Sequence, residues 1–293
     1  MKRLLIDTDP NIYERRTDID DALALLFCIA SPEVVVEGIT INFGNVKAPV
    51  GYRATRDLLG AVGEVIPVFE GAHSSAGLGE TNAAVDFLIR TVRNNPGEIS
   101  LLALAPLTNV ATACMLDEGF APGLRELVVM GGTLDFWIFK YLGEFNFHQD
   151  AEAASTVMSQ AIEKTLVTMD VCSQAVFKQE HLAKLQGNET EISRLCADFI
   201  EPWLRLNKRV FPRKKGFFPW DVVAASYLVD KTLFEDSPHT FDVVEEGLRR
   251  GRLVNMKRTG GSRNTNGKRP VNLPLKLDGD RFMDLFMQRL LRL

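Results

Sequence analysis

Several things are scarce in this 293-residue chain, and each scarcity removes a class of protein. No apolar run approaches the roughly 20 residues a membrane-spanning helix needs. The formal net charge is only -4, from 34 Lys and Arg against 38 Asp and Glu, so charge gives no reason to expect nucleic acid. The four cysteines, Cys28, Cys114, Cys172 and Cys196, are widely spaced in apolar surroundings. They lack the paired spacing of a zinc site and the density of a disulfide framework, and read as small buried hydrophobes. The four histidines, His73, His148, His181 and His239, make no metal-ligand spacing either, and only His148 stands among other polar motif residues. No separate apolar leader with a cleavage site precedes Lys2-Arg3, so a cytosolic location is expected. At 46% hydrophobic and 25% charged, the composition is that of an ordinary soluble globular enzyme.

Carboxylates, by contrast, crowd the start of the chain. Asp7 and Asp9 follow the apolar run Leu4-Leu5-Ile6, and Asp18, Asp20 and Asp21 come shortly after. Leu4-Leu5-Ile6 has the character of a strand buried on both faces, which puts Asp7 and Asp9 at its carboxyl end, where open parallel sheets bind ligands. Ala22, Leu25, Leu26 and Ile29 then repeat at helical spacing, so Asp20 and Asp21 occupy a helix N-terminus, whose dipole favours their ionised form. Asp20 and Asp21 could serve as helix caps alone. Asp7 and Asp9 have no local capping task, and like charges this close repel unless a cation offsets them. A hard, oxygen-liganded divalent cation with catalysis attached is the reading they favour.

Strand-like runs at 34–43, 65–69, 99–103, 127–130 and 166–169 alternate with helical periods at 48–59, 83–92, 107–116 and 151–159, and a longer helix is expected over 192–209. This βαβ rhythm implies an α/β fold, a mainly parallel central sheet flanked by helices on both faces. No linker divides the chain, so 1–293 reads as a single domain. The Gly-, Asn-, Arg- and Lys-rich stretch 257–269 reads as a solvated loop, and 279–293 as a closing amphipathic helix with Phe282, Leu285, Phe286 and Leu290 on one face.

The acidic opening, with Gly44-Asn45, Pro106-Leu107-Thr108-Asn109, Val129-Met130-Gly131-Gly132 and Glu144-Phe145-Asn146 in that order, resembles the nucleoside hydrolase family almost end to end. The resemblance implies a calcium-dependent N-ribohydrolase that splits a ribonucleoside into ribose and free base, and a homo-oligomer. It implies Ca2+ ligation by Asp9, Asp21, Asp221 and the backbone carbonyl of Leu104, with Asp9 as general base. Asp20, Asn45, Glu144 and Asn146 would hold the ribose hydroxyls, Met130 would pack against the sugar, and Asp7 would support the metal site from behind.

The chain also departs from the family. Residues 11–17 are extra, where a Gly usually follows directly, so the metal loop is expected to bulge outward. The segment 72–81 is short. The loop 133–143 carries Phe136, Trp137, Phe139 and Tyr141, and Ile138 replaces the Asn commonly found near the ribose 5′-hydroxyl. Trp220 precedes Asp221, a Trp-Asp pair like that of purine-specific members, where inosine-uridine-type members commonly place a leaving-group His. An indole cannot act as that acid, but it can stack on a purine and favour its cationic form by about 0.5–2 kcal/mol. Two other readings stay open: an Asp-nucleophile phosphatase, suggested by Asp7-Thr8-Asp9, and a noncatalytic relative that keeps the metal and ribose sites.

Overall fold

The computed structural model describes residues 1–134, 144–241, 251, 253, 257–258 and 269–293. Strand β1 (Lys2–Thr8) is third from one edge of the nine-stranded sheet that the described residues form, parallel to β2 (Val34–Ile41) on one side and β4 (Ile99–Ala103) on the other. Beyond β2 comes β3 (Val68–Glu70), and beyond β4 come β5 (Glu126–Met130) and β6 (Lys164–Val167), all parallel. Burial on both faces explains the unbroken apolar runs. Leu4 and Ile6 enter one core while Leu5 enters the other, as alternate residues of a strand must.

The helices sort onto the two faces. On one side α1 (Asp20–Ile29), α2 (Ala48–Val62), α9 (Gln179–Gln186), α10 (Glu191–Val210), α11 (Trp220–Val229) and the closing helix Gly279–Leu290 share a core. On the other, α3 (Ala83–Asn94), α4 (Thr108–Leu116) and α7 (Ala151–Ser159) build the second. Single-turn pieces α5 (Phe120–Gly123), α6 (Phe145–Gln149) and α8 (Met169–Cys172) link them. The result is the three-layer α/β architecture expected from the alternation. Among the described residues no helix is long and apolar enough to cross a membrane.

Differences from the sequence reading lie at ends and edges. The expected strand 65–69 begins only at Val68, after Pro67, whose missing N–H suits it to the position before a strand, and Val65 is 97% exposed. Met169 belongs to α8, not to β6. Past β6 the sheet continues with β12 (Arg269–Asn272), parallel to β6, then β10 (Pro238–Phe241) and β11 (Lys257–Arg258), both antiparallel to their neighbours. Two small ribbons pair β7 (Phe177–Lys178) with β8 (Gly216–Phe217) and β9 (Phe234–Glu235) with β13 (Lys276–Leu277). Segments this short hold too few residues to display alternation, so periodicity missed them. The expected loop 257–269 therefore has strand at both ends, and its centre lies outside the described residues. All four cysteines are free, and Cys28, Cys172 and Cys196 are buried as expected, whereas Cys114 is only partly so.

The order β3-β2-β1-β4-β5-β6 turns back between β1 and β4, and a crevice opens at such a reversal, outside the carboxyl ends of the strands. Asp7 and Asp9, Leu104 and Met130 are delivered there by the ends of β1, β4 and β5.

Candidate active site

Three elements bring the acids together. The end of β1 supplies Asp7 and Asp9, the first turn of α1 supplies Asp20 and Asp21, and the first turn of α11, packed against α1, supplies Asp221. Carboxylate oxygens of Asp20, Asp21 and Asp221 all lie within 4.8 Å of one another. The contacts that hold them are specific. Asp21 Oδ1 accepts from Thr8 Oγ1 at 2.6 Å and from the Asp9 N–H at 3.2 Å, and its Oδ2 accepts from Asn45 Nδ2 at 2.8 Å. Asp20 Oδ2 accepts the Asp221 N–H at 3.0 Å, so an orphan donor at the start of α11 is satisfied by α1. Asp9 Oδ2 accepts the Asn45 N–H. Any side chain at Gly44 would run into that carboxylate, which explains the glycine.

These acids are strained by their surroundings. Burial pushes Asp9, Asp20 and Asp221 well above the usual carboxylate range, and repulsion adds to it: Asp21 on Asp9, Asp18 and Asp21 on Asp20, and Asp20, Asp21 and Asp9 on Asp221. Asp9 Oδ1 is fully buried and has no hydrogen-bond partner. An orphaned carboxylate oxygen among repelling acids is costly unless a cation meets it. The donor set therefore fits a hard divalent ion, all oxygen and anionic. Leu104 also fits: its carbonyl accepts Asn146 Nδ2 at 2.7 Å, and a carbonyl has a second lone pair.

Asp7 stands behind. Its Oδ1 accepts from Thr40 Oγ1 at 2.6 Å and Asn109 Nδ2 at 2.8 Å, while burial, outweighing both, pushes it up to about 6. Asn109, part of the Pro106-Leu107-Thr108-Asn109 motif, also accepts the Ala72 N–H, so it ties three strand ends to the acid.

A cavity of about 520 Å3, within the range of small-molecule sites, opens onto this cluster. Asp20, Asn45, Leu104, Met130, Glu144, Asn146, Trp220 and Asp221 line it, whereas Asp7, Asp9 and Asp21 lie fully buried outside its lining. Several of the lining residues carry structural duties that sequence did not disclose. Glu144 caps α6, accepting N–H groups from Asn146, Phe147 and Gly132. Asn146 braces the Leu104 and Met130 carbonyls. Asn45 orders Asp9 and Asp21.

The cavity lining also holds residues that the sequence reading passed over. Trp203 and Asn207 come from one face of α10, and Phe211, Lys214 and Phe218 come from the segment between α10 and α11. Their helical spacing, i and i+4, was the available signal for Trp203 and Asn207. Trp220 is partly buried, its ring 4.6 Å from that of Phe218. The extra residues 11–17 do bulge outward, with Tyr13 through Arg16 exposed. Asn11 is buried and knots the loop, donating to the Glu14 carbonyl and Thr17 Oγ1 and accepting from the Tyr13 and Glu14 N–H groups. Arg16 and Thr17 reach the cavity, as does His148. Phe136, Trp137, Ile138, Phe139 and Tyr141 lie outside the described residues.

The sequence model of the inosine-uridine preferring nucleoside hydrolases matches residues 4–284. The chain belongs to this family. Membership makes it an N-glycosyl hydrolase of a metal-dependent family, in keeping with the acidic cluster. Among relatives of this nucleoside hydrolase, Uridine nucleosidase 1 of Arabidopsis thaliana is 27% identical over 330 aligned residues, covering 99% of this chain and 94% of the other. A plant nucleoside hydrolase, PpNRh1, superposes with a TM-score of 0.84 at 25% identity, covering 99% and 98% of the two chains. A purine-preferring ribonucleoside hydrolase from Gardnerella vaginalis shares the fold, with a TM-score of 0.85 at 23% identity and the same coverage.

Proposed function

We propose that this nucleoside hydrolase acts on purine ribonucleosides and holds calcium through Asp9, Asp21, Asp221 and the Leu104 carbonyl. The purine preference rests on one observation: Trp220, in the first turn of α11 beside Asp221, lines the cavity with an indole. An indole offers a flat stacking surface to any base but the larger area to a purine. Relatives with uridine in their names make the preference a property to be measured rather than inherited.

When bound, calcium orients a water and partly acidifies it, less strongly than zinc would. Asp9 would take the proton of the attacking water, a role supported by its position in the acidic cluster at the end of β1. Cleavage of the N-ribosidic bond develops oxocarbenium character on the sugar, and the surrounding carboxylates stabilise it. Asp20, Asn45, Glu144 and Asn146 bind the ribose hydroxyls, and Met130 packs against the ring. Glu144 enters this role already oriented by three N–H groups, and a carboxylate has about four acceptor sites, so one remains for a hydroxyl. Asp7 keeps the end of β1 in place.

Release of free base from a panel of purine and pyrimidine ribonucleosides tests the reading. Higher kcat/KM for purines supports it. Faster turnover of uridine or cytidine than of inosine, adenosine or guanosine would refute the Trp220 argument.

A further inference from the structure

Lys214 belongs to the cationic triplet Arg213-Lys214-Lys215, which on sequence grounds is a solvated charge run. Its neighbours are indeed exposed, but Lys214 is partly buried and its side chain turns into the cavity. The ammonium sits 3.4 Å from the centroid of Phe218, 5.4 Å from Trp220 and 5.7 Å from Phe211. Among the described residues, Nζ makes these ring contacts and neither a hydrogen bond nor an ion pair. Asp18 and Asp20 act on it through space, partly offsetting a burial that pushes the amine down to about 7. A cation with three N–H donors, held among rings in the lining of a substrate cavity, needs an acceptor from the substrate.

We propose that Lys214 is the group that meets the departing base, directing an N–H at its edge while the base stacks on Trp220. The inference rests on the N-ribohydrolase reading above and adds the leaving-group donor that an indole cannot be. Lys214 lies beside Trp220 in a cavity whose lining they share with Asp20, Glu144 and Asp221. The step balances without a further reagent. The electron pair of the C1′–N bond passes to the base nitrogen, the water oxygen bonds to C1′, and one water proton goes to Asp9. The proton that ends on the base comes from Nζ, and the proton taken by Asp9 passes through water to restore the amine. A donor aimed at the atom where charge develops stabilises the transition state more than the bound substrate. Bases with an acceptor along the edge, a ring nitrogen or a carbonyl oxygen, are the class this favours.

Lys214→Met keeps the apolar stem and deletes the donor. Its kcat/KM should fall about 100-fold or more for the best nucleoside, the usual scale of acid–base assistance. p-Nitrophenyl riboside releases a stable anion, so its loss should be smaller by at least about tenfold. Residual turnover of that substrate also reports a folded site. Lys214→Ala should regain nucleoside turnover when ethylamine is added. Equal losses on the two substrates, a loss below about threefold on the nucleoside, or no rescue by ethylamine would each overturn the role. A wild-type protein that cleaves neither substrate would instead defeat the N-ribohydrolase reading itself, before any variant is made.

Discussion

Part of the cavity lining hangs from strand ends and from the first turn of α1, and part comes from α10 and from the segment 211–220 that leads into α11. The acidic part is polar, buried and braced by hydrogen bonds, with Asp21 alone held by Thr8, Asp9 and Asn45. The aromatic part has Phe211, Phe218 and Trp220 around Lys214, packed through ring contacts. The contrast separates what the reaction requires from what the substrate selects. Charge that must be held against repulsion needs rigid elements, whereas recognition of a base is free to change with the loop that carries it.

The largest effect that could break the comparison is in the acidic part. Asp9→Asn should leave the fold intact and lower kcat by 10²-fold or more, the scale typical of a lost general base, about 10²–10⁴. A variant that keeps over about a tenth of wild-type kcat would remove Asp9 from that role.

The aromatic part should respond selectively. Trp220→Ala should reduce kcat/KM for a purine ribonucleoside by roughly ten- to hundredfold, since base stacking is worth about 1–3 kcal/mol. The same variant should lose much less with p-nitrophenyl riboside, and equal losses would assign Trp220 to packing.

The two parts also differ in how plainly the sequence displays them. Asp7, Asp9, Asp20 and Asp21 are legible because buried like charges are expensive and therefore rare without a reason. The parallel sheet is legible because β1, β4 and β5 are buried on both faces. Leu104 and Met130 carry no chemical signature of their own and entered only through family resemblance. The structural tasks of Glu144 and Asn146 depend on where β4 and β5 stop, which local pattern does not reveal. Lys214 was illegible because a lysine between Arg213 and Lys215 reads as solvated, and only the packing of Phe218 and Trp220 turns it inward.

Metal removal should have a moderate effect on stability. Asp9, Asp20, Asp21 and Asp221 would repel one another, and a ligand at 100 times its Kd contributes about 2.7 kcal/mol. Chelation should therefore lower Tm by roughly 5–10 °C, reversed by added calcium. An unchanged Tm, with no metal by elemental analysis, would contradict the cation site.

The smallest effect lies away from both parts. Glu126 bridges Lys2 and Lys231 at 3.2 Å each. Burial alone would raise its pKa, but the two lysines outweigh burial and lower it. A carboxyl whose folded value is depressed stabilises the protein above its ordinary 4.5 and loses that contribution as pH falls through the folded value. Glu126→Gln should accordingly cost about 2–4 °C of Tm at pH 7, with the gap closing in acid below that window. A gap independent of pH would remove the ion pairs as its cause.

The most direct test of the central claim follows base and ribose together. Purified protein incubated with a purine ribonucleoside should release the two products one to one, stop when a chelator is added, and resume with calcium. Release that continues in chelator after the metal is shown to be gone, or phosphate-dependent formation of ribose 1-phosphate in place of free ribose, would contradict it.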